Sequence, residues 1–75
     1  MSENQILATI SKGNTEELRV AISEFKGKKY LDLRIFFTTD NGANWSPTKK
    51  GVTVAPDSIE VFLNAVEKAK ELLSE

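Results

Sequence analysis

Hydrophobic and polar residues alternate with period two through the first part of this 75-residue chain. Residues 5–11 and residues 17–25 are separated by Gly13-Asn14, a pair that suits a tight turn. In the earlier stretch, one alternate set is apolar and consists of Ile6, Ala8 and Ile10. The alternation predicts two strands, each with one face in a core and the other face in water.

A turn at Gly27 leads into a third alternating stretch, residues 29–39. In the second and third strands, the set predicted to face the core is apolar and comprises Leu18, Val20, Ile22, Leu31, Leu33 and Ile35. The opposite set carries cations and aromatic rings and includes Arg19, Phe25, Tyr30 and Arg34. Phe36 and Phe37 are adjacent, so a regular strand cannot bury both: either one is exposed or a bulge shifts the register.

Residues 40–48 (DNGANWSPT) have the composition of a loop, and Pro47 argues against a regular interior strand at that point. Trp45 lies within this loop, so its ring either packs back onto the core or is available to a ligand. A Lys-Lys-Gly sequence then leads into residues 50–54, which we predict as the fourth strand.

From Pro56 onward the apolar spacing is helical. Proline suits the first position of a helix, and Asp57 and Glu60 place negative charge where the helix dipole favours it. The apolar side of this segment consists of Ile59, Phe62, Leu63, Val66, Ala69, Leu72 and Leu73. The spacing predicts a helix over residues 57–74, longer than a small sheet needs for cover, so its surplus apolar surface is expected to contact a second copy.

The order of elements predicts one α+β domain over residues 1–75, with a four-stranded antiparallel curved sheet followed by one C-terminal helix. We expect the helix to cover the apolar face of the sheet. A chain this short buries only about 60–65% of its unfolded surface, and it has no cysteine for a disulfide. The sequence therefore predicts a homodimer formed through the helices, with an interface of Phe62, Val66, Ala69, Leu72 and Leu73.

The net charge is −1, but the charges are unevenly distributed. Residues 12–50 contain eight Lys and Arg against five Asp and Glu, a local excess of +3. Residues 51–75 contain two lysines against five acidic residues, a local excess of −3. Such asymmetry weakly favours a surface for a polyanion on one side of the molecule.

The residue inventory argues against catalysis and against cofactors. Histidine and cysteine are absent, the acidic residues are scattered, and the hydroxyl residues have no base to activate them. Because the usual zinc ligands are missing, we expect no metal. The glycines at the turns are single and do not form a phosphate-binding loop, so we predict that the protein is not an enzyme.

The segment from Met1 to Asn4 has neither a basic region nor an apolar region of the kind found in signal peptides. No apolar run approaches the ~20 residues that span a bilayer. We therefore expect a soluble intracellular protein without membrane contact.

Positive charge and aromatic surface are interleaved at the turn Phe25-Lys26-Gly27-Lys28 and at the strand that follows it. A single-stranded nucleic acid has phosphates that attract cations and unstacked bases that stack on aromatic rings. The alternative is an ordinary hairpin turn that is polar for solubility. The open sheet face favours nucleic-acid binding, since its cations and aromatic rings suit a stacking platform flanked by phosphate contacts. The alternative for this face is a solvated surface on which long side chains pack over one another.

The chain resembles the core domain of the transcriptional coactivator family called positive cofactor four in three sequence segments and a proline, which occur in matching order and spacing. They are the Phe-Lys-Gly-Lys turn, Leu31-Asp32-Leu33-Arg34, and Lys49-Lys50-Gly51-Val52-Thr53-Val54, followed by Pro56. The resemblance covers roughly residues 18–73. It implies a homodimer that binds single-stranded DNA, with paired helices at the subunit interface and basic channels along two curved sheets.

The resemblance also implies roles for individual residues. Phe25, Lys26 and Lys28 would contact DNA by stacking and by phosphate pairing. Arg34 would be a cation on the sheet face, and Phe37 matches a position used for stacking. Lys49 and Lys50 match the basic entry to the last strand, while Arg19 and Tyr30 are added because they share the face of Arg34.

Two features depart from the family pattern. Strict alternation places Phe36, not Phe37, on the face of Arg34, so a role for Phe37 requires a bulge or a twisted strand end. Residues 40–48 differ from the proline- and glycine-rich loop of the family, which leaves Trp45 without a matched role. The chain resembles the short core form found in bacteria and phages, for which replication, recombination or repair is at least as plausible a role as transcription. The resemblance therefore implies a cytoplasmic, nucleoid-associated protein in a bacterium or a phage-infected cell, and a nuclear protein in a eukaryote.

Two other functions stay open. The amphipathic helix would also suit a protein-interaction module, dimeric or docked in the groove of another protein. Single-stranded RNA could bind by the same chemistry, because no residue here identifies a 2′-OH. Proteins of transcription or replication are further candidate partners. Binding to DNA should weaken steeply with salt, whereas docking of an apolar helix should not.

Overall fold

A computed structural model of the protein describes residues 5–74. Four strands are followed by a short 3₁₀ turn and one helix. The strands are β1 (Gln5–Ser11), β2 (Glu16–Phe25), β3 (Lys28–Phe37) and β4 (Ser46–Val54), the 3₁₀ turn is Pro56–Ser58, and the helix α1 is Ile59–Leu73. The predicted succession of four antiparallel strands and a C-terminal helix is confirmed.

The strands form one open sheet in the order β1-β2-β3-β4, and every neighbouring pair is antiparallel. Pairing between β2 and β3 is continuous over ten residue pairs, from Glu16 opposite Phe37 to Phe25 opposite Lys28. Because this register has no irregularity, the alternation in the sequence translates directly into two faces. One face is apolar and includes Leu18, Val20, Ile22, Leu31, Leu33, Ile35, Val52 and Val54.

The strand β1 contains a bulge between Ile6 and Ala8 that changes which face its first residues join. Ala8 pairs with Val20 on the apolar face, whereas Ile6 pairs with Ala21 on the opposite face. The prediction that Ile6 shares the face of Ala8 and Ile10 is therefore wrong. One extra residue in an antiparallel strand reverses the alternation beyond it, and the sequence shows no sign of it.

The strand β4 begins at Ser46, inside the segment predicted as a loop. Pro47 is tolerated there because β4 is an edge strand, in which the missing amide hydrogen faces away from the sheet. Three residues of β4, Thr48 to Lys50, lie opposite the single residue Ile35, so this strand carries the second irregularity of the sheet.

The helix does not cover the sheet of its own chain, which corrects the expectation from the sequence. No residue of α1 is buried, and its main contacts are with the 3₁₀ turn before it. Only two α1 residues, Ile59 and Phe62, are half-buried, and the remainder of the helix is exposed. The 3₁₀ turn starts two residues after β4 ends at Val54, and α1 follows it directly at Ile59. Within residues 5–74, no helix combines the length and apolar character needed to cross a bilayer.

The described part of the chain therefore has almost no core of its own. Ala21 is its one buried apolar residue, at 7% exposure. The radius of gyration is 14.1 Å, against about 11 Å for an ordinary domain of this length. The apolar faces of the sheet and of the helix are left for contacts outside the chain.

Candidate nucleic-acid interface

The face of the sheet opposite the apolar one carries the residues that the sequence singled out. Arg19 pairs with Arg34, Ser23 with Tyr30, and Phe25 with Lys28. Directly opposed residues of an antiparallel pair share a face. Arg19, Phe25, Lys28, Tyr30 and Arg34 therefore lie on one surface, which we call the cationic face.

Two like charges stand directly opposite each other on the cationic face, at Arg19 and Arg34. Such a pair is destabilising in a sheet unless each charge has other partners. The Arg19 guanidinium lies over the ring of Phe36, 4.1 Å from the ring centroid, and Nε donates a hydrogen bond to Oε2 of Glu17. The Glu17 carboxylate and the Phe36 ring thus hold Arg19 in a fixed position on the face.

Arg34 is turned toward the other neighbouring strand, β4. Its Nη1 donates a hydrogen bond of 2.9 Å to the carbonyl oxygen of Thr48, and its Nε lies 3.6 Å from Oδ1 of Asp32. The guanidinium rests over Gly51, the residue paired with Arg34 across the strands. Arg34 and Arg19 are therefore held by separate sets of contacts and lean toward different parts of the sheet.

Between these two arginines the cationic face is hollowed into a groove of about 740 Å³. Its lining includes Arg19, Arg34, Lys49, Phe36, Asp32 and Ile6. Three of these side chains are cations and two are apolar. A groove with this lining can pair with phosphate through its cations and can take a flat apolar group against its floor.

The turn at the far end of the cationic face is a two-residue hairpin. Lys26 has φ +52° and Gly27 has φ +77°, the backbone of a type I′ turn, which pairs Phe25 directly with Lys28. The Lys26 ammonium lies 5.4 Å from the centroid of the Phe25 ring. Phe25 is 64% exposed, so its ring is presented to solvent beside two cations and is not part of a core.

Lys49 and Lys50, predicted at the entry to the fourth strand, lie in the middle of β4, which begins at Ser46, and they differ in position. Lys49 lines the groove and Lys50 is not among its lining residues. Both side chains are exposed. Along β2, the turn at Phe25 is six residues from Arg19, or roughly 20 Å at 3.3 Å per residue. The turn cations and the groove cations thus form two clusters on one face.

The structure distinguishes the two adjacent phenylalanines. Because β3 pairs with β2 without a bulge, Phe36 shares the cationic face with Arg34, and Phe37 lies on the opposite face. Phe37 is 38% exposed and does not line the groove. A stacking role for Phe37 on the cationic face would require a bulge in β3. The extra residues are in β4 instead, so Phe36 is the phenylalanine that lies beside the cations.

The loop between β3 and β4 is held by Asp40 and Thr38. The Asp40 carboxylate accepts hydrogen bonds from the backbone nitrogen and the side-chain amide of Asn44 and from the Thr38 hydroxyl. These bonds, with that from Asn44 the largest, lower the pKa of Asp40 from 3.8 to about 2. The half-buried ring of Trp45 lies next to Gly42 in this loop, outside the groove lining.

Several groove residues were not identified from the sequence. Strict alternation places Phe36 on the cationic face, but the family resemblance assigned the stacking role to Phe37. Ile6 reaches the groove only through the β1 bulge. Thr48 and Gly51 contact Arg34 from the neighbouring strand β4, a relation that becomes visible only with the register. Asp32 lies two residues before Arg34 on β3 and shares its face. In the described part of the chain, no cluster of three or more acidic side chains could hold a metal ion.

A comparison with solved structures identifies the fold. Two crystal forms of a PC4 homolog from Burkholderia pseudomallei, one orthorhombic and one tetragonal, each match with a TM-score of 0.79 at 20% sequence identity. The matches cover 91% of this chain and 90% and 98% of the homolog's chain, respectively. No curated protein matches the sequence.

The open antiparallel sheet has one face that carries cations and aromatic rings, an arrangement that suits nucleic-acid binding. The family model described as Transcriptional Coactivator p15 (PC4) matches residues 12–65, which is more than half of the sequence. The chain belongs to this family. The resemblance to the positive cofactor four family is thereby confirmed.

Proposed function

We propose that this protein is a homodimer that binds single-stranded DNA without sequence preference, in transcription regulation or in DNA replication, recombination or repair. The main support is the direct pairing of Arg19 with Arg34 on a solvent-facing groove. Opposing two like charges lowers the stability of a sheet. A polyanionic ligand would offset that cost, because it brings negative charge close to both guanidinium groups.

A single-stranded ligand is favoured over a duplex by the aromatic surface among the cations. Phe25 is exposed at the turn and Phe36 lies in the groove. Unstacked bases can lie on such surfaces, whereas the bases of a duplex are stacked on one another. Stacking accepts every base, so little sequence preference is expected. Lys26, Lys28, Lys49 and Lys50 supply phosphate contacts, and Tyr30 lies between the two clusters.

The exposed apolar surface supports the homodimer. The predicted interface residues on α1 are Phe62, Val66, Ala69, Leu72 and Leu73. Leu73 is 83% exposed, and only Phe62 is half-buried in the single chain. A second copy would cover both this stripe and the apolar face of the sheet. The dimer would bring two cationic faces into one particle, so that one DNA strand or two could engage it.

The test is a fluorescence-anisotropy titration with labelled thymidine oligonucleotides, single-stranded and duplexed with adenosine strands, at 50 and 200 mM salt. We expect tighter binding of the single strand, with a slope of log K against log salt of roughly −0.7 for each neutralised phosphate. An RNA oligonucleotide of the same length tests the RNA alternative. Absence of salt-dependent binding to any of these would contradict the proposal and favour a protein-interaction module.

A further inference from the structure

The guanidinium of Arg34 lies flat on the sheet, and Gly51 is the residue that permits this. A Cβ at position 51 would lie 2.7 Å from Cζ of Arg34, 2.8 Å from Nη1 and 3.0 Å from Nη2. Cζ is the nearest of the three atoms. If the added Cβ approached within the guanidinium plane, a nitrogen atom would be closer to it than Cζ. Because Cζ is closest, Gly51 lies against the flat face of the guanidinium. The other face of the guanidinium is directed away from the sheet.

The edge of the guanidinium is occupied by contacts within the protein. Nη1 donates to the Thr48 carbonyl, and Nε points to the Asp32 carboxylate, which accepts no hydrogen bond at Oδ1 from the described residues. Thr48 is itself fixed, since its hydroxyl donates a 2.7 Å hydrogen bond to the Ile35 carbonyl and accepts one from the Lys50 amide. The extra residues of β4 thus present a carbonyl that holds Arg34 in place.

These contacts leave the outer face of Arg34 better suited to a base than to a phosphate. A phosphate is bound in the guanidinium plane by a pair of N–H donors. A guanidinium has two such donor pairs, Nη1 with Nη2 and Nε with Nη2. In Arg34, Nη1 is directed at Thr48 and Nε at Asp32, so each pair has one nitrogen already engaged. The negative charge of the Asp32 carboxylate would also repel a nearby phosphate. A guanidinium plane stacks on a nucleobase through its face, which these contacts do not use.

We propose that Arg34 is a stacking platform for a nucleobase and that Gly51 is its positioning residue. This inference rests on the proposed function, because it assigns the contact that one base of the single strand makes. Different residues of the cationic face then contact different parts of the ligand. Arg34 contacts a base, while Lys49 and the turn lysines contact phosphates.

The first test compares Arg34→Lys and Arg34→Ala with the wild type, using a thymidine oligonucleotide and an abasic oligonucleotide of the same length. Lysine keeps the charge but has no plane. We expect Arg34→Lys to weaken thymidine binding roughly 5- to 150-fold, the range for loss of one stacked base, and abasic binding less than about twofold. Circular dichroism verifies that each variant keeps its sheet.

Two results would overturn the inference. If Arg34→Lys binds thymidine as the wild type does, while Arg34→Ala lowers the salt slope by about 0.7, Arg34 is a phosphate contact. If the wild type itself binds no single strand, the proposed function fails and this inference fails with it. The wild-type titration therefore separates the two failures.

The second test places Gly51→Ala in the wild-type and Arg34→Lys backgrounds. Gly51 is not among the positive-φ residues, so alanine fits the backbone, and any loss of thermal stability should not exceed that of Arg34→Ala, which removes the same Arg34 contacts. We expect Gly51→Ala to weaken thymidine binding in the wild-type background by a factor similar to that of Arg34→Lys, and to have no further effect in the Arg34→Lys background. Equal losses in both backgrounds would mean that the new methyl group obstructs the DNA directly, and would overturn the positioning role.

Discussion

At the scale of single residues, the contact between Arg19 and Phe36 shows how the cationic face is ordered before a ligand arrives. The guanidinium of Arg19 covers one side of the ring, and Glu17 holds its Nε. An exposed arginine loses about 2 kcal/mol of side-chain entropy when it is fixed. Because the protein has already fixed this side chain, a ligand loses less entropy on binding.

This order gives a prediction for the two phenylalanines of β3. Phe36→Leu removes the ring beneath Arg19 and a flat surface of the groove, and should weaken single-strand binding by about 1–3 kcal/mol. Phe37→Leu is the matched variant, since it makes the same change one residue away on the opposite face. It should have the smaller effect in anisotropy titrations. A larger loss for Phe37→Leu would assign the stacking role to Phe37.

At the scale of elements, the turn between β2 and β3 combines a strained backbone with a charged side chain. Lys26 adopts a positive φ that lysine rarely takes, and the following Gly27 takes such a φ readily. Asparagine or glycine at position 26 would adopt this conformation at a lower energetic cost. The presence of lysine is consistent with selection for its charge at this place.

The charge and the backbone of the turn can be separated by substitution. Lys26→Asn creates an Asn-Gly pair, the sequence most favourable to a type I′ turn. We expect the melting temperature to stay level or rise, while single-strand affinity falls and the salt slope decreases by about 0.7. A variant that binds with unchanged affinity and slope would show that Lys26 makes no phosphate contact.

The loop of Asp40 should respond to acid. The pKa of Asp40 is depressed from 3.8 to about 2, so the stabilisation that its carboxylate gives the loop is complete above pH 4 and is lost as the pH falls through about 2. An NMR titration of this carboxyl should have its midpoint near 2. In Asn44→Ala, which lacks the largest contribution, the midpoint should move up toward 3.8. A midpoint that does not move would exclude Asn44 as the cause.

The sequence predicted those parts of the fold that depend on uninterrupted pairing. The strands β2 and β3 pair without a shift, so period-two alternation assigned Arg19, Arg34 and Tyr30 to one face correctly. The bulge at Ile6 and the strand that includes Pro47 were missed, because both depend on where a strand lies in the sheet. The contact of Gly51 with Arg34 joins residues 17 positions apart and has no local signal.

The position of α1 could not be predicted for a different reason. Its amphipathic pattern shows that one side must be covered, but it does not specify by which surface. The expectation that α1 covers the sheet of its own chain assumed that the helix packs on the apolar face nearest to it in the sequence. In the structure, α1 is almost entirely exposed and most of the apolar sheet face is half-buried, so the helix does not cover the sheet.

At the scale of the whole molecule, we expect sedimentation equilibrium to return twice the 8.3 kDa chain mass at micromolar concentration. Val66→Glu places a charge in the middle of the apolar stripe and should dissociate the dimer. Asn64→Glu is the matched control, because it adds the same charge to the same helix about 160° around its axis. A dimer that survives Val66→Glu, or a wild-type monomer, would contradict assembly through the helices.

The near-absence of buried apolar side chains has a consequence for how the chain reaches its native state. Burial of apolar surface drives folding, and Ala21, at 7% exposure, is the one buried residue among the described apolar residues of the single chain. In the proposed homodimer, much of this driving force becomes available only when two chains meet. Refolding from denaturant should therefore contain a second-order step, so that a tenfold dilution slows the recovery of native signal about tenfold.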